Sequence, residues 1–464
     1  MSAIFPLPDS LRDLIARGDF AAARTELTTL AERMDEEERR SATLFEAERL
    51  RRLEREFPLT EAEALERLRD VVPDSTPEDV ARWCREGLLQ SLMIEGERRI
   101  FRRDPGNLPL RSDEARQRRV AAGLPAEPRR ALRDVAGDQR IDLSDHLSEA
   151  VATGGLCCPV RYHITHTVAV KPGRVPPGET IRCWLPIPRE EPHQTDFHFL
   201  FSDPAEPIFA PPDAPQRSVY LERESAAGGP NDFRISYEFT AWACHTRVDP
   251  NRVESPDPSD PEVQRFTGER WPFLFTPRIR QLAREIVGDE LNPHLRAKRI
   301  FEWMDANIVW IGEREYSTIT DFTGLCLDRR AGDCGVQAIL FITLCRCAGV
   351  PARWESGWWI HPASVNMHDW VRLLIRPHGW LWADLTKGSN PDQFRDTAAA
   401  RAFYFGNIDA CRLVASADIA QPLTPPRHHP RSDTIDFQRG EVECDSGNLY
   451  FDDWDHSFEV RRVG

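Results

Sequence analysis

The spacing of apolar residues changes along the chain and separates helical from extended regions. Over residues 1–150 apolar positions recur every three or four residues, as Leu11 and Leu14 do, which predicts amphipathic helices. Thr76 and Pro77 are residue types that favour a helix N-cap and the first helical position. The pattern therefore predicts an all-helical N-terminal domain at residues 1–150.

Apolar and polar residues alternate in the middle of the chain. The alternation is clearest at residues 160–170 and returns at 181–186 and 233–239, and a period of two residues is typical of half-buried strands. We predict a small antiparallel β domain at residues 156–249. The segment that follows, residues 250–261, is rich in Pro, Asp and Ser and has the composition of a linker.

Helical and strand-like patterns are mixed in the rest of the chain. Helical spacing at residues 279–287 is followed by a short apolar run of strand character at 352–359. We predict an α+β domain at residues 262–415 and an α+β fold class overall. The last segment, residues 416–464, begins with prolines and ends in β-like runs, and we expect a C-terminal extension that packs on this domain.

Charge and composition restrict the class of protein. The 464-residue chain has 60 Lys and Arg against 75 Asp and Glu, a net charge of −15, which argues against nucleic acid or an anionic membrane as partner. No run reaches the roughly 18–20 apolar residues of a membrane helix, and residues 1–9 do not resemble a secretory signal. Its 11 cysteines are an odd number and too sparse for a disulfide scaffold, so we expect a cytoplasmic protein with reduced thiols.

One cysteine lies where a thiol can be activated. Cys334 stands between two glycines and precedes an apolar helical run that ends at Gly349, which predicts a position at a helix N-terminus. The helix dipole and the unpaired N–H groups there favour a thiolate and can bind an oxyanion. Asp333, just before it, is expected to make local hydrogen bonds at the helix start. The alternative for Cys334 is a buried cysteine that packs as a small apolar residue.

A nucleophilic thiolate needs a base, and the base needs an orienting group. His368 opens a predicted strand, a turn follows at residues 377–379, and Asp384 ends the next strand. If the turn pairs residue 376 with 380, the two side chains face the same side of the hairpin, diagonally or further apart unless a bulge intervenes. Together with the predicted nucleophile, these residues have the types of a cysteine acyl-transfer triad.

The order Cys, His, Asp within GDCG, MHDW and W-x-D resembles the transglutaminase-like superfamily, in particular a subgroup of bacterial transglutaminase-like domain proteins. The segment at residues 405–409, FGNID, is also similar to that subgroup. The resemblance implies a papain-like fold for the predicted catalytic domain, with Cys334 as the nucleophile, His368 as general base and acid, and Asp384 as the orienting residue.

The resemblance also implies a reaction. The thiolate attacks an amide, peptide or thioester carbonyl to give a thioester, and water or an amine then accepts the acyl group. Water is the default acceptor, which favours a hydrolase of the amidase or peptidase type. The alternatives are an amide-forming or cross-linking acyltransferase, for example in peptide natural-product synthesis, and a non-catalytic binding scaffold.

Several residues are candidates for oxyanion or substrate contacts. An oxyanion hole commonly uses a second donor from the segment before the nucleophile, and Tyr316 is the preferred candidate over Trp310. Arg314 is a candidate to bind a substrate carboxylate, and an ion pair with Glu313 or Glu315 is the alternative.

Tryptophans are concentrated in the predicted catalytic domain, and core packing accounts for most of them. Trp358 and Trp359 are adjacent and would face opposite sides of a strand, so we expect one of them to line a substrate cleft. No Cys and His spacing fits a zinc site, and no phosphate-binding glycine pattern is present, so we expect neither a metal nor a cofactor.

Overall fold

The computed structural model describes residues 7–128, 133–226, 229, 231–389 and 392–463. Residues 1–6 and 129–132 of the predicted helical domain lie outside the described residues. Contacts group the chain into two compact units, Met1–Ala131 with Ile308–Val336 (unit 1) and Leu132–Asn307 with Gln337–Gly464 (unit 2). The division into four domains made from the sequence stays a prediction.

Helices occur in both units. Within the described residues they are α1 Asp9–Arg17, α2 Phe20–Glu32, α3 Glu37–Glu56, α4 Glu61–Val71, α5 Pro77–Arg85, α6 Asp104–Arg111, α7 Asp113–Ala121, α8 Leu143–Thr153, α9 Pro261–Thr267, α10 Pro277–Val287, α11 Pro293–Asn307, α12 Phe322–Arg329, α13 Cys334–Cys347 and α14 Thr397–Phe403.

Strands and helices come mostly in separate runs along the chain, which gives a mixed α+β class, as predicted. In the described residues they are β1 Ser91–Ile94, β2 Glu97–Ile100, β3 Gly155–Val170, β4 Thr180–Pro186, β5 Gln194–Asp203, β6 Ile208–Phe209, β7 Ser218–Glu224, β8 Asn231–His245, β9 Val309–Trp310, β10 Ala331–Gly332, β11 Ala352–Trp359, β12 Asn366–Ile375, β13 Gly379–Ala383, β14 Phe405–Gly406, β15 Arg412–Ser416, β16 Glu441–Cys444, β17 Gly447–Leu449 and β18 Trp454–Arg462.

The N-terminal helices begin where local side chains satisfy their first N–H groups. The Thr76 hydroxyl accepts from the Asp79 N–H, and the Asp79 carboxylate accepts from the Thr76 N–H. This reciprocal cap, with Pro77 in the first turn, confirms the helix start predicted at this position. Each helix of this region buries only one face, so its stability depends on packing against its neighbours.

The prediction that the N-terminal region is all-helical is wrong at residues 91–100. Strands β1 and β2 form an antiparallel hairpin there, with a turn at Glu95 and Gly96, both of which have positive φ angles. Gly18 packs tightly against this hairpin, because an added Cβ would lie 1.8 Å from the Met93 carbonyl oxygen. Two four-residue strands give too short an alternation to be recognised within a helical pattern.

Unit 2 contains two antiparallel sheets that are formed largely by strands of the predicted β domain. One has the strand order β18-β3-β8-β5 and the other β17-β16-β4-β7-β6. Strands of the C-terminal segment are thus built into the sheets of the predicted β domain, as β18 pairs with β3 and β16 pairs with β4. Added strands cover sheet edges that would otherwise expose unpaired backbone groups.

A third sheet of unit 2 has the strand order β14-β13-β12-β11-β15. Every residue from 335 to 346 of helix α13 is buried, and the Arg346 side chain donates to the Ala352 carbonyl at the start of β11. A helix that is apolar on all faces belongs in a protein core. None of the helices in the described residues is long and apolar enough to cross a membrane.

Candidate functional site

His368 and Asp384 are joined by a hydrogen bond in the third sheet of unit 2. The distance between His368 Nε2 and Asp384 Oδ2 is 2.7 Å, and both side chains are buried. His368 lies on β12, and Asp384 directly follows β13. The two residues that the sequence singled out as base and orienting group are therefore brought together.

The hairpin register differs from the one predicted. Ile375 lies opposite Gly379 and Val371 opposite Ala383, so the pairing of residue 376 with 380 is wrong. The turn begins one residue earlier than expected, because Gly379, with a φ of +80°, already belongs to the strand. The shifted register shortens the offset between His368 and Asp384 and makes them diagonal neighbours without a bulge, which is one of the two arrangements left open by the sequence.

Arg412, the first residue of the edge strand β15, binds the same carboxylate oxygen. Its Nη1 donates to Asp384 Oδ2 at 2.7 Å, while its Nε and Nη2 donate to Asp409 Oδ2 at 3.1 and 3.0 Å. The other oxygen of Asp384 accepts from the Thr386 N–H at 3.0 Å. All three charged side chains are buried, so the orientation of Asp384 is fixed by a network rather than by one partner.

Burial and charge set the protonation states of this pair. Burial lowers the pKa of His368 to about 4, and the opposing charge of Asp384 restores only part of the loss. Burial tends to raise the pKa of Asp384, but the charges of His368 and Arg412 outweigh it and hold that pKa below its usual range. Near neutral pH the imidazole is neutral and the carboxylate ionised, which assigns the ring proton to Nε2 and leaves Nδ1 able to accept a proton.

The backbone that carries His368 is held by the C-terminal segment. Gln438 Nε2 donates to the His368 carbonyl oxygen at 3.1 Å and to Asp369 Oδ1 at 2.5 Å. The Trp358 indole donates to the Gln438 carbonyl oxygen at 3.0 Å. Strands β11 and β12 are therefore both tied to residue 438.

Cys334 is the first residue of α13 and is partly buried. Just before it, Gly332 on β10 lies opposite Trp310 on the parallel strand β9. An added Cβ at Gly332 would lie 2.7 Å from the Val336 side chain, so glycine allows the close turn into the helix. Its position at the helix start matches the one predicted.

Asp333 forms the cap of that helix, as expected. Its Oδ1 accepts the Val336 N–H and the Tyr316 hydroxyl, each at 3.0 Å. Burial, reinforced by the negative charge of Glu313, raises the pKa of Asp333 to about 7. The residue before the candidate nucleophile is therefore a carboxyl group that changes charge near neutral pH.

The remaining candidates of the segment lie in unit 1. Tyr316 is engaged through its hydroxyl with Asp333, and Trp310 is 49% exposed. The Arg314 guanidinium lies over the Phe57 ring, 5.8 Å from its centroid. Their roles toward an oxyanion or a substrate stay predictions.

The two acids considered as partners of Arg314 lie close to other arginines. Glu313 pairs with Arg329 at 2.8 Å, and Glu315 lies 3.9 Å from Arg102. Burial lowers the pKa of Arg314, opposed in part by the charge of Glu313.

Trp358 and Trp359 face opposite sides of β11 and are 4% and 0% exposed. The Trp358 ring stacks on Phe458 at 4.0 Å, and the Trp359 ring lies 3.7 Å from Lys387 Nζ and 4.8 Å from the Arg412 guanidinium. Both rings thus contact other side chains of the protein, and a cleft-lining role stays a prediction.

Sequence reasoning missed Arg412 and Gln438. The available indication for Arg412 was its place just after the FGNID segment at residues 405–409. Gln438 is separated from His368 by 70 residues, and a single sequence gives no sign of such a contact. As for metals, no group of three or more His, Cys, Asp or Glu side chains suited to an ion occurs among the described residues.

Comparison with known proteins identifies one matching family model. Residues 280–385 match the model of the transglutaminase-like superfamily, and this range includes Cys334, His368 and Asp384. The uncharacterized protein YebA of Bacillus subtilis (strain 168) is 28% identical over 137 residues, which cover 25% of this chain and 18% of YebA. The chain therefore matches less than a fifth of the length of this relative.

Two solved structures are also similar at low levels. A candidate cysteine protease from Cytophaga hutchinsonii has a TM-score of 0.43 and 16% identity, covering 67% of this chain and 92% of its own. The periplasmic domain of TgpA from Pseudomonas aeruginosa has a TM-score of 0.29 and 16% identity, covering 53% and 93%. The family match supports a cysteine-dependent enzyme in general terms.

Proposed function

From the match of residues 280–385 to the model of the transglutaminase-like superfamily, we propose that the protein is a cysteine-dependent acyl-transfer enzyme. Cys334 is the nucleophile, His368 the general base and acid, and Asp384 the orienting residue. The observation that carries the proposal is the buried 2.7 Å hydrogen bond between His368 and Asp384 within the matched range. A neutral imidazole beside an ionised carboxylate is the state that a general base needs.

The reaction begins with transfer of the Cys334 thiol proton to His368 Nδ1. The thiolate sulfur then bonds to the carbonyl carbon of an amide, peptide or thioester, and the carbonyl π electrons move to the oxygen. N–H groups at the start of α13 are candidates to stabilise this oxyanion. Its collapse breaks the bond to the leaving group, which takes its proton from the His368 imidazolium, and an acyl thioester remains on Cys334.

The second half of the cycle releases the acyl group. His368 takes a proton from water, the hydroxide oxygen bonds to the thioester carbonyl, and the carbon–sulfur bond breaks to release the acid. The His368 imidazolium then returns its proton to the Cys334 sulfur, which restores the thiol. Asp384 keeps its charge and stabilises the imidazolium in both halves. Water is the proposed acceptor because it needs no dedicated binding site, which makes the enzyme a hydrolase of the amidase or peptidase type.

Intact-mass spectrometry tests the proposal. The full chain is mixed with a panel of peptide thioesters and activated amides, and we expect a transient mass increase equal to one acyl group. The adduct should be absent in Cys334→Ala and should disappear in buffer at a rate that added amine does not change.

An adduct that persists in Cys334→Ala, or that forms equally in His368→Asn, would contradict the triad. Discharge that accelerates with amine concentration and gives an amide product would assign the enzyme to the acyltransferases instead. A cytoplasmic location stays a prediction from the sequence.

A further inference from the structure

The N-terminal helical region contacts the segment that leads to Cys334. Asn107 on α6 donates from Nδ2 to the Gly312 carbonyl oxygen and accepts the Gly312 N–H on Oδ1, both at 2.9 Å. The Asn107 side chain is buried. The amide thus pairs with the backbone of Gly312 as a neighbouring strand would, two residues after β9 ends.

Helix α6 also contacts the part of this segment that lies closer to Cys334 in sequence. Arg329, the last residue of α12, donates to Asp104 Oδ1 at 3.0 Å and to Glu313 Oε1 at 2.8 Å. The Arg111 side chain donates to the Arg329 carbonyl oxygen at 3.2 Å. Two residues later the chain enters β10, which leads directly to Cys334.

Residues of α6 are suited to make both contacts at once. Asp104 and Asn107 are three apart, so they share a face of the helix, and Asn107 Nδ2 also lies 3.1 Å from Asp104 Oδ1. Both side chains and those of Arg329 and Glu313 are buried. Buried polar groups are costly to leave unpaired, so the network holds the segment firmly to the helix.

We propose that α6 is a positioning element for the nucleophile, with Asn107 and Asp104 as its positioning residues. Asn107 fixes the end of β9 and Asp104, through Arg329, fixes the approach to β10. These strands pair with each other and set the turn into α13. The inference rests on the proposed function, because the position of Cys334 matters only if its thiol reacts.

The network also bears on the charge next to Cys334. Arg329 binds Glu313, and the charge of Glu313 contributes to the raised pKa of Asp333. A displacement of Arg329 would therefore change the field at Asp333 as well as the backbone. A region that only covered the catalytic residues would have neither effect.

The test compares three variants of the full chain. Asn107→Leu removes both hydrogen bonds to Gly312 at similar volume, and Asp104→Asn weakens the link to Arg329 with almost no change of shape. Ser112→Ala is the matched control, because it removes the cap of α7, a hydrogen bond from the Ala115 N–H, elsewhere in the same region.

Two measurements are made on each variant: the rate of Cys334 alkylation by iodoacetamide against pH, and hydrogen exchange over residues 308–333. In Asn107→Leu we expect alkylation of Cys334 to slow by about tenfold, and the segment to exchange faster, because small misplacements of a reacting group cost rate. Asp104→Asn should change both in the same direction by a smaller factor. Ser112→Ala should lower Tm and leave both measurements unchanged.

A wild-type alkylation profile and wild-type exchange in Asp104→Asn and Asn107→Leu would overturn the inference. If Asn107→Leu does not fold, Asp104→Asn alone decides it. Faster exchange in the variants would support the contact between α6 and the segment even if Cys334 of the wild type reacts no faster than the other cysteines. That combination would count against the proposed function and not against the contact.

Discussion

Two regions of the molecule each contain an arginine that joins two buried carboxylates, yet the pKa of Glu313 in one region is raised while those of Asp384 and Asp409 in the other are lowered. In unit 2, Arg412 joins Asp384 to Asp409. Both acids have pKa values below their usual range, because the effect of burial is outweighed at Asp384 by the charges of His368 and Arg412 and at Asp409 mainly by the charge of Arg412. The Cys411 N–H also donates to Asp409 at 2.7 Å.

In unit 1, Arg329 joins Asp104 to Glu313. Here burial raises the pKa of Glu313 even though Arg329 opposes it, and the charge of Asp104 acts in the same direction as burial. Glu313 in turn helps to raise the pKa of Asp333 to about 7. The same type of contact therefore leaves the pKa of Glu313 raised, whereas in unit 2 the pKa values of both acids are lowered.

The difference matches what a cysteine acyl-transfer site needs. A base that becomes an imidazolium is stabilised by a carboxylate that stays ionised, which is the state of Asp384. A thiolate is disfavoured by a negative neighbour, so a raised pKa of Asp333, which keeps this carboxyl protonated at higher pH than usual, suits the residue before Cys334. We therefore expect that removing the Arg412 charge in unit 2 destabilises the protein, whereas removing the Asp333 charge in unit 1 stabilises it above neutral pH.

The largest effect is expected from loss of the base. His368→Asn removes the proton acceptor, and general acid–base catalysis contributes about 10²–10⁴-fold, so kcat/KM should fall by that factor on any acyl donor that forms the adduct. His198→Asn, on the exposed part of β5, is the control and should keep full activity. Equal activity of the two variants would remove His368 from the mechanism.

The second-largest effect is expected from removing the Arg412 charge in unit 2. Arg412→Met leaves Asp384 and Asp409 buried without their shared cation, which should lower the free energy of unfolding by about 3–5 kcal/mol in urea titrations. Arg412→Lys keeps the charge and should lose less. Because the Arg412 charge lowers the pKa of His368, that pKa should rise from about 4 in Arg412→Met, as seen by NMR. Unchanged stability in Arg412→Met would refute the role given to this network.

The smallest effect is expected from replacing Asp333, the carboxyl group in unit 1 whose pKa is raised. The pKa of Asp333 is about 7 in the folded chain against an ordinary 3.8, so the folded state binds more protons between these values and loses stability as pH rises through them. Asp333→Asn keeps both acceptor contacts and removes this loss. It should be near neutral at pH 4 and raise the free energy of unfolding by about 1–4 kcal/mol at pH 8.

Asp289→Asn, at an exposed acid, is the control and should show no such pH dependence. Alkylation of Cys334 should follow the same logic, with an inflection near pH 7 in the wild type that Asp333→Asn lacks. An identical inflection in Asp333→Asn would mean that another group titrates there.

Local features of both regions could be predicted from the sequence, because their causes are local. Thr76 with Pro77 identifies a helix start, and Cys334 between glycines before an apolar run identifies another. His368 and Asp384 could be identified because one lies on the first strand of a local hairpin and the other directly follows the second strand. The sequence left open whether they are diagonal neighbours or further apart, since a shift of the turn by one residue decides it.

Contacts between distant segments could not be predicted. Asn107 binds Gly312, which lies 205 residues later in the chain. Strand β18, near the end of the sequence, pairs with β3, which lies near the start of the unit 2 sequence. Gln438 reaches the His368 backbone in the same way. A single sequence carries periodicity and residue type, and neither specifies which distant segment satisfies a given polar group.

The central claim is that Cys334 is the reactive thiol, and alkylation of the whole chain tests it most directly. Burial raises the thiol pKa of most other cysteines. These are Cys84, Cys158, Cys183, Cys244, Cys326, Cys345, Cys347, Cys411 and Cys444.

Limited iodoacetamide treatment of the folded protein at pH 6–7, followed by peptide mapping, gives the order in which the cysteines react. The account predicts that Cys334 is carbamidomethylated well before the others and that His368→Asn removes this lead. Labelling of Cys334 at the same rate as the other cysteines, or after them, would contradict it.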